Sequence, residues 1–257
     1  MRLGAYQFAV TGSLQNNLEK IKGAISKAAF ERVKLLIFPE CSLTGYPPHD
    51  IRSSDRINDA EVNFAIEDLQ KISTSKDMYI VIGTITMYKD KYYNSAIVLR
   101  PQQDRIIYNK RALWGWDREN FCAGNNMGVF QIADIKIGIR ICFEVRFPEY
   151  FRELYRENTD LNIILFYDMS NCDDVERYEL IRSHIRTRAV ENVCPILTVN
   201  TIKPFQTAPT ALYDKSGNLL VELERNQEAL LIYDFDKTAF SFGEQGRKEL
   251  SDLLINR

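Results

Sequence analysis

Cys142 is a thiol in charged company. It closes the apolar run Ile137-Gly138-Ile139-Arg140-Ile141 and precedes Phe143-Glu144-Val145-Arg146-Phe147-Pro148-Glu149. A structural cysteine gains nothing from ionisable neighbours. A nucleophilic one does, because the thiolate is the reactive form and nearby cations stabilise it. Two other charged residues end strand-like runs in the same way: Glu40 after Leu35-Leu36-Ile37-Phe38-Pro39, and Lys110 after Arg105-Ile106-Ile107-Tyr108-Asn109. A cysteine hydrolase needs a base for the thiol proton, a fixed positive charge or N–H donors for the oxyanion, and a returned proton for the leaving amine. A carboxylate, a lysine and a cysteine supply that set. Singly, each has a commoner structural reading: a solvated strand end for Glu40, a basic surface loop with Arg111 for Lys110, and a small buried hydrophobe for Cys142.

Composition narrows the alternatives. The 257 residues are 45% hydrophobic and 26% charged, as in an ordinary soluble enzyme. A net charge of −2 gives no electrostatic reason to bind nucleic acid or an anionic membrane surface. No apolar run approaches the ~20 residues that cross a bilayer. The first residues enter strand-like sequence directly, without the pattern of a signal peptide, so the expected location is cytoplasmic. The five cysteines, at 41, 122, 142, 172 and 194, are odd in number and lack CxxC spacing, which argues for reduced thiols over disulfides or a zinc site. Cys41, Cys122, Cys172 and Cys194 read as structural. Two histidines, His49 and His184, are too few for a His-rich metal centre. Any Cys-His scheme would have to use one of them, and a surface or core role is the expectation for each.

The elements that must position these groups alternate between strand-like and helix-like patterns, so the expected class is layered α/β. Strands are predicted over residues 2–9, 33–38, 78–86, 92–99, 105–109, 161–166 and 195–200, with a hairpin of 128–133 and 136–142 turning at Asp134. Leu14, Leu18, Ile21, Ile25 and Ala28 recur at helical spacing behind Ser13 as N-cap. Further helices are predicted over about 60–76, 148–157 and 174–192. Two late strands flank Asp214-Lys215-Ser216-Gly217-Asn218, and 229–235 forms the last. No linker or repeat interrupts the chain, so 1–257 reads as one domain with 238–257 as a C-terminal tail. The apolar positions of that tail, Leu250, Leu253, Leu254 and Ile255, suit packing on a partner subunit or on the same chain.

Three blocks occur in an order that resembles the nitrilase superfamily of carbon–nitrogen hydrolases, in its stand-alone amidase form. They are Leu36-Ile37-Phe38-Pro39-Glu40-Cys41-Ser42-Leu43-Thr44-Gly45-Tyr46, then Tyr108-Asn109-Lys110-Arg111-Ala112-Leu113 running on to Phe121 and Gly124, then Gly138 through Glu149. Arg188-Ala189-Val190-Glu191-Asn192, Val199-Asn200, Asp214 and Gly217 support the match. The resemblance implies a four-layer α-β-β-α sandwich and no metal or organic cofactor. It implies Glu40 as general base, Cys142 as nucleophile, Lys110 as stabiliser of the oxyanion and Phe143 as donor of a backbone N–H to it. A second carboxylate near the substrate is implied as well, and both Asp117 and Glu119 fall in its window. Subunits of the family pair through a helical face, which here points to 148–157 and 174–192 and to a homodimer or larger homo-oligomer.

The implied reaction is hydrolysis of a linear amide or carbamoyl compound through a cysteine thioester, releasing ammonia or an amine. A nitrilase using the same three residues and a non-catalytic binding protein on the same scaffold are the alternatives. Two segments depart from the family. Tyr167-Asp168-Met169-Ser170-Asn171-Cys172-Asp173-Asp174 replaces a small polar stretch with tryptophan, and Lys203-Pro204-Phe205-Gln206-Thr207-Ala208-Pro209-Thr210 lacks the usual glycines. The adjacent acids Asp173 and Asp174 suit either a cationic substrate or, more simply, the cap of the next helix.

Overall fold

The structure, a computed structural model, describes residues 1–255. In chain order its elements are β1 (Arg2–Gln7), α1 (Leu14–Phe30), β2 (Leu35–Ile37), α2 (Asp59–Lys76), β3 (Tyr79–Tyr88), β4 (Lys91–Arg100), β5 (Gln103–Asn109), α3 (Trp116–Asn120), β6 (Val129–Ile132) and β7 (Ile135–Ile141). Then follow α4 (Pro148–Arg156), β8 (Leu161–Leu165), β9 (Met169–Ser170), α5 (Val175–Asn192), β10 (Ile196–Val199), β11 (Phe205–Gln206), β12 (Ala211–Tyr213), β13 (Leu219–Glu222), β14 (Ala229–Asp234) and α6 (Phe242–Ile255).

Two six-stranded sheets run β14-β1-β2-β3-β4-β5 and β13-β12-β10-β8-β7-β6. Each has three parallel strands at its centre, β1, β2 and β3 in one and β7, β8 and β10 in the other. Each parallel step needs a crossover, and helices supply it: α1 and α2 for the first sheet, α4 and α5 for the second. The inner faces of the sheets meet in a core of Leu3, Leu35, Ile37 and Val81 against Ile137, Ile139, Ile141, Ile163 and Leu165. On the outside, Ile21, Ile25, Ile66 and Leu69 of α1 and α2 pack on Phe38, Ile80 and Ile82. Phe151, Ile181 and Ile185 of α4 and α5 pack on Ile164, Phe166 and Ile196. The layers are therefore helix, sheet, sheet, helix, the expected α-β-β-α sandwich.

The near-continuous apolar strands 35–38, 137–141 and 161–166 follow from this layering, because both faces of the central strands are covered. Ser13 caps α1, accepting from the Asn16 N–H at 3.3 Å. Within the expected tail 238–257, of which the last two residues lie outside the described ones, α6 docks on its own chain, where Tyr155 donates to Asp252 at 2.6 Å and Ser216 to Glu244 at 2.6 Å.

Candidate active site

Three strand ends meet at one rim. Because β4 runs antiparallel to both β3 and β5, β5 points the same way as β2 and β3, and all three deliver their carboxyl ends there. Beyond β2 the chain turns so that the Glu40 N–H reaches the Phe166 carbonyl of the opposite sheet at 3.2 Å. Gly83 lies beneath that turn. A Cβ there would stand 2.2 Å from the Pro39 carbonyl oxygen and 2.6 Å from the Glu40 Cα, so only glycine admits the approach. Lys110 leaves β5 with its N–H on the Asn94 carbonyl at 2.8 Å. Cys142 leaves β7 in the left-handed region, φ +45°, a strained conformation for an L-residue of the kind that functional turns retain.

These turns gather a buried charge cluster. Lys110 Nζ donates to Glu40 Oε1 at 2.8 Å and forms an ion pair with Asp117 Oδ2 at 2.7 Å, and Glu40 and Lys110 are each only 1% exposed. Asn94 Nδ2 donates to the same Oε1 at 2.6 Å, the Tyr167 N–H donates to Oε2 at 2.9 Å, and Tyr46 OH donates to Asp117 Oδ1 at 2.7 Å. Burial pushes the Glu40 carboxyl up; Lys110 opposes this, and the Asp117 charge adds to it. Burial alone would pull Lys110 down, but Glu40 and Asp117 outweigh it and hold the ammonium well above its ordinary range. The Cys142 thiol is also pushed up, by burial first and by the Glu40 charge next, with Lys110 opposing. The shift at Cys142 favours the thiol over a free thiolate.

Cys142, Lys110 and Asp117 open onto a cavity of about 450 Å³ walled by Tyr46, His49, Trp114, Trp116, Phe143 and Tyr167. Tyr46 and Tyr167 stack at 4.8 Å between ring centres, and His49 meets the edge of Trp116 at 5.3 Å. Of the two carboxylates left open by sequence, Asp117 faces Lys110, whereas Glu119 is exposed two residues further along α3. Phe143 lines the cavity, its ring against Phe147 at 5.2 Å. His49, expected in a surface or core role, is an exposed residue on the cavity wall; His184 sits in α5 away from it. Asp174 caps α5 by accepting the Arg177 N–H at 2.9 Å, and Asp173 pairs with Arg225 at 2.7 Å.

Sequence reasoning missed three features. Asn94 touches Glu40 from mid-sheet, where asparagine carries no local signature. Glu144 is fully buried and accepts the Ile141 N–H at 2.7 Å, the Arg111 N–H at 2.7 Å and Tyr108 OH at 2.8 Å, joining the cysteine turn to the lysine loop. Asp168, in the departing segment, is buried and binds Arg177 Nε at 2.8 Å and Nη2 at 3.0 Å.

The sandwich and a cysteine beside a buried carboxylate–lysine pair define a class of hydrolase, and comparison with known proteins gives its family. A profile of the carbon–nitrogen hydrolase family matches residues 2–241, and the chain belongs to that family. An (R)-stereoselective amidase of Pseudomonas sp. is 25% identical over 193 residues, which are 74% of this chain and 67% of the relative. The 2-oxoglutaramate amidase of Bacillus subtilis is 26% identical over 203 residues, 77% of this chain and 75% of the relative. An amidase of Nesterenkonia sp. AN1, solved with butyramide, superposes with a TM-score of 0.83 at 20% identity, over 100% of this chain and 96% of that one. A second structure of the Nesterenkonia amidase carries the acetamide moiety of fluoroacetamide on its active-site cysteine.

Proposed function

We propose that the protein hydrolyses a small linear carboxamide to a carboxylic acid and ammonia through a thioester on Cys142. The observation that carries this reading is the buried Glu40–Lys110–Asp117 cluster beside a cysteine that opens onto a cavity. The amidase relatives and the covalent cysteine adduct in the Nesterenkonia protein support it. As the Cys142 sulfur bonds to the amide carbon, Glu40 takes the thiol proton, so no free thiolate has to form in a site that disfavours it. Lys110 gives one N–H to Glu40 and holds Asp117 as an ion pair, and it supplies a further N–H to the carbonyl oxygen as it becomes anionic. The Phe143 N–H is the second donor to that oxygen. Protonated Glu40 returns its proton to the departing nitrogen, and ammonia leaves. Water then gives a proton to Glu40 and its oxygen to the thioester carbon, releasing the acid and restoring the thiol.

A cavity of about 450 Å³ suits a small acyl group. The five cysteines, none of them in a disulfide, fit a reducing, cytoplasmic compartment. The exposed Phe147, Val175 and Leu180 on and beside α4 and α5 fit self-association through that face. A panel of aliphatic amides, ω-amides, carbamoyl amino acids and the matching nitriles, assayed for ammonia, tests the reaction. Amide turnover that vanishes in Cys142→Ala is expected. Turnover of nitriles alone, or full activity in Cys142→Ala, would overturn the reading.

A further inference from the structure

Among the buried polar side chains around the cluster, Asn94 belongs to neither the nucleophile nor the charged set. It lies on β4, is 0% exposed, and holds both halves of the Glu40–Lys110 pair: its side-chain amide donates to Glu40 Oε1 at 2.6 Å and its carbonyl accepts the Lys110 N–H at 2.8 Å. Glu40 Oε1 therefore accepts two donors, Asn94 and Lys110, while Oε2 accepts only the Tyr167 N–H. With two lone pairs per carboxylate oxygen, Oε1 is full and Oε2 has one place left. We infer that Asn94 is a positioning residue that saturates Glu40 Oε1, so that the proton exchanged with Cys142 and with the leaving nitrogen is carried on Oε2. This rests on the proposed amide hydrolysis, since it assigns the atom through which the base of that reaction works.

The asparagine oxygen is consistent with such a role. Oδ1 is buried and has no hydrogen-bond partner among the described residues, so the amide is held by what its nitrogen does. Ending on a carboxylate, the Nδ2–H bond favours the ionised base, in the same sense as Lys110. The other groups that feel the Glu40 charge are Asp117 from α3, Cys41 and Tyr46 from the turn after β2, Cys142 after β7 and Tyr167 after β8. None of them is removed by a change at position 94.

The test uses Asn94→Ala, which deletes the donor, and Asn94→Asp, which keeps the shape and, when ionised, places a second negative charge against Glu40. For each full-length variant, kcat/KM for the amide best hydrolysed by the wild type and the rate of Cys142 alkylation by iodoacetamide are measured against pH. The expected result is a kcat lower by about 10- to 100-fold with a smaller change in KM. The acid limb should move up by about one pH unit in Asn94→Ala and further in Asn94→Asp. Folded variants whose acid limb stays in place, whatever their kcat, overturn the inference, because a merely structural asparagine lowers activity without moving the titration of the base. Asn94→Asp preserves the side-chain volume and keeps the test open if the alanine variant fails to fold. Failure of the amidase reading is separately visible: wild-type alkylation at Cys142 without hydrolysis of any amide sinks that reading, while the alkylation profile still reports on Asn94.

Discussion

At the residue scale the site is a problem of burying two carboxylates and one ammonium. Taking charges out of water is costly unless each is paired and hydrogen-bonded. Here Lys110 touches both carboxylates, Asn94 and the Tyr167 N–H complete Glu40, and Tyr46 completes Asp117. Burial first, and then the Asp117 charge, raise the affinity of Glu40 for a proton, with Lys110 opposing. In its proposed role of base, Glu40 works only when ionised, so activity should fall on acidification at a pH above the ordinary carboxylate range. Asp117→Asn removes a charge that favours protonation of Glu40, so its acid limb should move to lower pH, the opposite of the shift expected at Asn94. Glu119→Gln, on the exposed side of α3, should leave the profile in place. Kinetics of both variants across pH check this, and an equal response in the two would contradict the assignment of Asp117 as the second carboxylate. Sequence left these two acids tied because both lie on a five-residue helix whose rotation no periodicity fixes.

At the scale of elements, the decisive feature is how two loops from different sheets are locked together. Glu144 accepts N–H groups on both sides, Ile141 before the cysteine and Arg111 after the lysine, and takes Tyr108 OH as well. Cys142 is held in its left-handed turn by this carboxylate rather than by a glycine. Glu144→Gln turns one acceptor oxygen into an N–H donor facing a backbone N–H. The expected cost is about 2–4 kcal/mol of stability in urea unfolding, with kcat lowered by more than ten-fold in the protein that remains folded. A stability change within experimental error would refute the clamp. The strand cores and the helical stripes were legible in sequence because apolar periodicity records burial, and the cap Ser13, with Asp174 as one of two adjacent candidates, was legible because capping is local chemistry. The roles of Glu144 and Asn94 were not, since each depends on a contact far along the chain, Glu144 with Arg111 33 residues away and Asn94 with Glu40 54 residues away.

At the scale of the molecule, the sandwich matters because it faces the carboxyl ends of two parallel strand sets toward each other. The first sheet brings Glu40 and Lys110, the second brings Cys142 and the Tyr167 N–H that holds Glu40. Neither sheet alone contains a working set, so the apolar interface between them, from Leu3 and Ile37 to Ile139 and Leu165, is also what aligns the chemistry. Three blocks in family order made the architecture readable from sequence and singled out the three residues that the strand ends bring to one rim. The surroundings of the pocket were less so, because the segments 167–174 and 203–210 depart from the family pattern and their packing, such as Asp168 against Arg177 and Thr207, is set by tertiary contacts. The proposed hydrolysis stands on covalent chemistry at one sulfur. Rapid quenching of the full-length protein during turnover of its best amide, followed by intact mass and peptide mapping, tests that directly. The predicted result is an added mass equal to the acyl group, less the displaced hydrogen, confined to the peptide that contains Cys142. Steady turnover with an unmodified Cys142 peptide, continuing in Cys142→Ala, would contradict it.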